Sequence, residues 1–268
     1  MAADEAEPGA LNTLISQGRD YEIVEVDKSG NLLHKWRHTK DGRVSKLAAP
    51  KDTDGSFSRL FRECFLPAGF PHSVSEDYLA YQLCDSLQAF FSTIISLLAS
   101  RALLQGLGVG DASSSTTFAV FLTILKDAMS RIATVIFAYK FGLRIEPEAK
   151  RYRFLADVFN DTAFFLELYS PYLGSWGKIV ALSTGEALRA LCGVAAGASK
   201  AALSVHFAKH DNLAELNAKE ASQETAVGLF GLLAGSFLVK HIGDKGSVLA
   251  LTIVLVIAHL LTNYIGVC

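Results

Sequence analysis

Ionisable side chains recur at helical spacing inside the apolar part of this 268-residue chain. Asp157, Asn160 and Asp161 stand at i, i+3 and i+4, and Glu167 follows close to three turns after Asp157, so all four share one stripe of a helix. Carboxylates on one face of an apolar helix can bind a cation, relay a proton, or pair with a basic neighbour. Lys126, Asp127 and Arg131 lie in an earlier apolar segment, where Asp127 and Arg131 are four apart and can pair on one face. Glu186 and Arg189, at i and i+3, have the same opportunity. Lys126, Arg131 and Arg189 are the basic groups available to answer the stripe, either as structural ion pairs or as countercharges in a solute path. A second cluster, Lys200, His206, Glu220, Gln223 and Glu224 with Lys219 beside it, occupies the most polar part of the C-terminal half. It can line a cavity mouth or anchor a helix at the headgroups. His206 and His210 have a metal-ligand spacing beside Asp211, but no third ligand is fixed and no HExxH accompanies them, so no metal is expected. GxGxxG, GxxxxGK[ST] and GxSxG are absent too, so neither an enzyme nor a cofactor is expected.

The elements that must position these groups are long apolar helices. Half of the chain (50%) is hydrophobic, 19% is charged, and the mean hydropathy is +0.29. That composition excludes a disordered chain, and a net charge of −2 gives no support to a nucleic-acid binder, so no nucleic-acid partner is expected. Six apolar segments follow one another: Ser86 to Gly106, Thr116 to Gly142, Phe154 to Leu173, Ile179 to Ala198, Thr225 to Val239 and Ser247 to Val267. The last holds no Asp, Glu, Lys or Arg over about 21 residues, roughly what a 30 Å hydrocarbon core requires. The spacing Gly193/Gly197 and Gly231/Gly235 predicts close helix approaches. Four cysteines far apart suggest neither a disulfide framework nor a zinc site.

Loop charge is consistent with six spans. Lys140 to Arg153 and Lys200 to Lys219 are basic, whereas Leu107 to Ser115 and Gly174 to Gly177 carry no Lys or Arg. Positive loops thus alternate with neutral ones, placing both chain ends and both basic loops in the cytosol, or in the matrix or stroma of an organelle. Lys240 to Lys245 dissents, because it falls on the outer side yet holds two lysines. Residues 1–56 form a polar N-terminal region with neither a secretory signal nor a transit-peptide pattern. There Tyr21 to Val26, a turn at Asp27 to Gly30, and Leu32 to Trp36 read as a hairpin, followed by loop to Ser56. Phe57 to Phe65 predicts a short amphipathic helix, and Ser73-Val74-Ser75-Glu76 has capping-box spacing that starts a helix near Val74.

Several strings resemble the root UVB sensitive proteins over residues 57–268. They are Phe65-Leu66-Pro67-Ala68-Gly69-Phe70-Pro71 with Ser73-Val74 and Asp77-Tyr78-Leu79, Lys126-Asp127-Ala128-Met129-Ser130-Arg131, and Lys150 to Asp157 with Asn160-Asp161. Lys200-Ala201-Ala202-Leu203 with His206-Phe207-Ala208, and Asn212 to Thr225, complete the set. The resemblance implies a membrane-associated protein linked to UV-B responses and vitamin B6 homeostasis, without an established catalytic activity. Members of that family usually continue past this domain, so the chain looks C-terminally truncated, and plastid localisation is not expected of it.

The fold expected is therefore all-α: a polytopic transmembrane bundle of about six spans, resembling half of a major-facilitator-type transporter, with a small N-terminal β-hairpin region. The function expected is transporter-like, with the polar stripe serving a small polar solute or ion in a multi-pass protein. The alternative is a non-catalytic membrane scaffold acting through protein partners. The partners expected are the lipid bilayer and family members in a homo- or hetero-oligomer.

Overall fold

A computed structural model describes residues 21–26, 32–39, 43–47, 56–106, 116–209 and 211–268. The turn at Asp27 to Gly30, the connection Leu107 to Ser115, and His210 lie outside the described residues. The chain divides into two units, Met1–Ser73 and Val74–Cys268.

In the first unit, β1 (Tyr21–Val26) pairs antiparallel with β2 (Leu32–His38), as the alternating pattern predicts. The expected loop is in part a third strand, β3 (Val44–Leu47), antiparallel to β2 with Trp36 opposite Lys46. Four residues rich in polar groups are too short for a visible alternation, and ladder hydrogen bonds to β2 make the strand. Glu22 holds Lys35 at 2.6 Å and Arg37 at 2.7 Å, which keeps its carboxyl below the usual range. Helix α1 (Ser56–Phe65) follows, with Phe57, Leu60 and Phe61 exposed along one side. It stops at Leu66-Pro67, and Gly69, at a φ of 74°, closes the next turn where a Cβ would strain the backbone.

The second unit is all-α. Its six long helices are α2 (Tyr78–Gly106), α3 (Thr116–Ile145), α4 (Ala149–Tyr169), α5 (Ser175–Phe207), α6 (Leu213–His241) and α7 (Lys245–Val267). Each contains one of the six apolar segments. Four of them (α2, α5, α6 and α7) are long and apolar enough to cross a membrane. α3 and α4 fall outside that group because they carry Lys126, Asp127 and Arg131, and Arg151, Arg153, Asp157, Asp161 and Glu167, respectively. The fifth segment, short in sequence, is lengthened upstream to Leu213, which brings Glu220 and Glu224 onto the same helix.

Two local readings change. The expected capping box does not form, and α2 starts at Tyr78 rather than near Val74. Val74 is drawn into an antiparallel bridge with Ala208, and the Ser75 amide donates to the Phe207 carbonyl at 3.0 Å, so the chain is still extended there. The Ser75 hydroxyl donates instead to Asp77 Oδ1 at 2.5 Å and, with His206, holds that carboxyl below its usual range. The second correction concerns the first basic loop. Lys140 and Arg144 belong to α3, Lys150, Arg151 and Arg153 belong to α4, and only Glu146-Pro147-Glu148 joins the two helices.

α2 is the central helix, packed on α4, α6 and α7, while α3 packs chiefly on α5. One apolar core joins Phe137, Tyr152, Ala156 and Ala195 of α3, α4 and α5. Another joins Ile95, Ala99, Phe164 and Val256 of α2, α4 and α7. Gly231 and Gly235 of α6 lie against α2, as their spacing predicts, but a Cβ at Gly193 or Gly197 of α5 would find no neighbouring element within 4 Å among the described residues. A Cβ at Gly231 would stand 2.9 Å from Thr93 Cβ and 3.2 Å from the Phe90 carbonyl oxygen, both fixed to the α2 backbone. At Gly235 the clash, 2.6 Å, is with the mobile Cδ1 end of Leu97. Gly231→Ala is therefore expected to destabilise by about 1–3 kcal/mol and Gly235→Ala by less, while Gly193→Ala is neutral. Thermal unfolding of the three variants in detergent checks this order.

Candidate functional site

The N-terminal half of α2 presents Asp85 and Gln88 one turn apart toward α4. Arg153, on the first turns of α4, is only 7% exposed although it stands near a helix end. Its guanidinium donates to Asp85 Oδ1 at 2.7 Å, to Gln88 Oε1 at 3.2 Å and to Asp157 Oδ1 at 2.9 Å. α7 closes the other side. Asn263 donates through its side-chain amide to Asp157 Oδ2 and, at 3.3 Å, to the Arg153 carbonyl. One turn back, His259 Nδ1 lies 2.9 Å from Asp161 Oδ2, and its Nε2 lies 3.6 Å from Asp157 Oδ2.

Asp85, 1% exposed, extends the network toward α5 and α6 through its second oxygen, 3.4 Å from Lys200 Nζ. Lys200 also reaches Glu220 at 3.1 Å and pairs with Glu224. Oxygens of Asp85, Glu220 and Glu224 lie within 4.8 Å of one another, a spacing that suits a metal ion, but the Lys200 ammonium already touches all three. Gln223 stands next to the Tyr78 hydroxyl, and the Tyr78 and Tyr81 rings pack on Phe207 with centroids 5.8 and 4.8 Å away.

The sequence-predicted residues thus separate into three groups. Asp157, Asp161, Lys200, Glu220 and Glu224 join the buried network. Asn160 points away from it, 3.4 Å from the Ser92 hydroxyl, because its position is rotated from those of Asp157 and Asp161. Glu167 binds Arg189 at 3.0 Å through Nε and again through a terminal nitrogen, while the guanidinium carbon sits 4.6 Å above the Phe164 ring. Asn160 and Arg189 face a cavity of about 290 Å³ that also takes in Ser92, Thr93, Ser96 and Leu232.

The third group lies elsewhere. Asp127 and Arg131 are exposed on α3 and do not pair, and Glu186 does not pair with Arg189 but with Lys126, at 3.1 Å. Partners on other helices displaced the expected Glu186–Arg189 pair, since a same-helix pair is worth only about 0.2–0.5 kcal/mol. His206 pairs with Asp77 at 3.0 Å in an exposed position.

Sequence reasoning missed Asp85, Gln88, Arg153, His259 and Asn263. Asp85 falls one residue before the first apolar segment, and Arg153 counted as a loop charge. His259 and Asn263 carry the legible signal: two polar residues four apart in the most apolar segment of the chain. Removing one partner from a buried ion pair leaves an uncompensated charge and costs about 3–5 kcal/mol. Asp85→Asn and Arg153→Met are each expected to destabilise by that order, and the double variant by less than their sum. A double-mutant cycle on unfolding in detergent measures the coupling.

Comparison with known proteins identifies the relatives. The vitamin B6 photo-protection and homoeostasis domain matches residues 51–268. RUS family member 1 of Dictyostelium discoideum is 36% identical over 250 residues, covering 90% of this chain and 47% of that protein. Protein root UVB sensitive 3 of Arabidopsis thaliana is 35% identical over 253 residues, covering 90% of this chain and 57% of its own. Protein root UVB sensitive 2, chloroplastic, of the same plant is 30% identical over 231 residues, covering 85% and 52%. The chain spans about half the length of these relatives. No solved structure matches it. With the domain match covering most of its length, the chain belongs to the root UVB sensitive family.

Proposed function

We propose that this chain is a multi-pass membrane protein that binds and moves a small polar solute of the vitamin B6 class, without catalysing a reaction on it. The observation that carries the reading is the cavity of about 290 Å³ between α2, α4, α5 and α6. Ser92, Asn160 and Arg189 each stand near the middle of their helices, so the cavity lies at half-depth, where membrane transporters hold their solutes. Three hydroxyls and an amide offer donors and acceptors for ring substituents, and Phe164 offers an aromatic wall. Glu167 occupies Nε and one terminal nitrogen of Arg189, which leaves the other terminal nitrogen for an anionic oxygen of the solute.

The network beside the cavity suits ion coupling. It sets five carboxylates against Arg153, Lys200 and His259, so it is short of positive charge by two or three. A proton or cation travelling with the solute fills that shortfall. Among the described residues Asp161 Oδ1, Asn263 Oδ1 and the buried Gln82 amide have no hydrogen-bond partner, and they are the atoms such an ion or its water would meet. The exterior supports the membrane reading, since Leu229, Phe230, Leu233 and Phe237 form an exposed apolar face on α6. The domain name shared with the family supports the solute class.

Uptake of labelled pyridoxine and pyridoxal by vesicles carrying the full chain tests the proposal. The wild-type chain is expected to accumulate solute above empty vesicles. Asn160→Leu is expected to reduce uptake about tenfold with little change in unfolding temperature, the loss expected for about 1–1.5 kcal/mol of hydrogen bonding. Asp161→Asn is expected to abolish the response to a pH gradient while solute binding persists. Wild-type vesicles that take up neither solute would overturn the transport reading. They would favour a scaffold, for which the exposed Phe57, Leu60 and Phe61 of α1 are a ready contact surface.

A further inference from the structure

The end of the bundle remote from the ion network holds a second cavity of about 350 Å³. It opens between the last turns of α2, the end of α4 with its following turn Ser170–Tyr172, and the α6–α7 connection. Arg101 and Lys245 line it from opposite elements, with Tyr169 and Tyr172 at the rim and Leu168 and Val248 on the walls. One terminal nitrogen of Arg101 donates to the Val239 and Ile242 carbonyls, at 3.4 and 3.3 Å, which anchors the guanidinium at the C-terminus of α6. Lys245 Nζ sits 4.4 Å from the centre of the Tyr172 ring. Among the described residues neither cation has a carboxylate partner.

The neighbouring acid does not answer them. Asp244 Oδ2 accepts the Ser247 amide at 2.8 Å as the cap of α7, a bond that keeps this carboxyl below its usual range. The start of α7 adds its own partial positive charge to the cavity. Two anchored cations, an aromatic rim and apolar walls form a site for an anion attached to an apolar body. A guanidinium and an ammonium lining one cavity favour phosphate oxygens, which accept charge-assisted bonds from both.

We propose that this cavity binds the phosphate group of an amphiphile, the headgroup held by Arg101 and Lys245 and the apolar part resting on Leu168 and Val248. Basic pockets between membrane helices take anionic lipid headgroups in this way. The proposal also accounts for Lys240 to Lys245 breaking the alternation of loop charge. On this reading Lys245 is retained on that side of the bundle for ligand binding rather than for orientation. It stands independently of solute transport.

The test uses the full chain purified in a neutral detergent, with phosphatidic acid, uncharged diacylglycerol and soluble glycerol phosphate as probes. A ligand that binds only the folded state raises the unfolding temperature. Phosphatidic acid is expected to raise it and diacylglycerol to leave it unchanged. Lys245→Gln, which removes no backbone hydrogen bond, is expected to lose most of the phosphatidic acid shift. Lys240→Gln, outside the cavity lining, keeps it. Arg101→Gln is expected to lose the shift as well, on a lower baseline. A comparable shift from glycerol phosphate that also disappears in Lys245→Gln would support the site and make its natural ligand a soluble phosphate ester. No shift from either phosphate probe, or a shift unchanged in Lys245→Gln, would overturn the proposal.

Discussion

The second unit is organised around one carboxylate. Asp85 is almost wholly removed from solvent, and each of its oxygens meets a different cation, Arg153 on α4 and Lys200 on α5. An isolated carboxylate in that environment would cost many kcal/mol, so its helix is tied to whatever supplies the countercharge. Arg153 in turn holds Asp157, which accepts Asn263 of α7, and Lys200 holds Glu220 and Glu224 of α6. Five helices are therefore registered against one another by polar contacts. Apolar packing alone tolerates sliding, whereas a hydrogen-bonded ion network fixes both rotation and depth.

What could be read in advance follows from the range of each interaction. Long apolar runs are local, and all six long helices were legible, as were α1 and the β1–β2 hairpin. The stripe Asp157, Asn160 and Asp161 was visible as a stripe, but its division was not. The angular offset that turns Asn160 toward a cavity and the two aspartates toward α7 has meaning only once the neighbouring helices are placed. The same limit explains Glu186 and Arg189, which look like partners in sequence and instead bind Lys126 and Glu167. Asp85 and Arg153 were obscured by the habit of counting charges at segment ends as loop charges. A short connection such as Glu146-Pro147-Glu148 leaves charges on both flanking helices, where they can turn inward.

Four of the five strings that carry the family resemblance are linked in space. Ser73-Val74 with Asp77-Tyr78 runs to the start of α2, and His206-Phe207-Ala208 ends α5. The Val74–Ala208 bridge, the Asp77–His206 pair and the tyrosine contacts with Phe207 join these ends. Arg153 and Asp157 from a third string and Glu220 and Glu224 from a fourth are linked through Asp85 and Lys200. The Lys126–Arg131 string stands apart on α3, where Lys126 pairs with Glu186 instead.

The placement of α3 bears on how the protein is made. α3 leaves the ribosome ahead of α5, yet α5 is its chief packing partner and supplies Glu186 for Lys126. Until α4 is made the Phe137 and Phe141 rings lack Tyr152 and Phe159, and until α5 is made Lys126 lacks Glu186. The α3 side of the bundle can therefore close only after α5 has been made, well after α3 itself has left the ribosome.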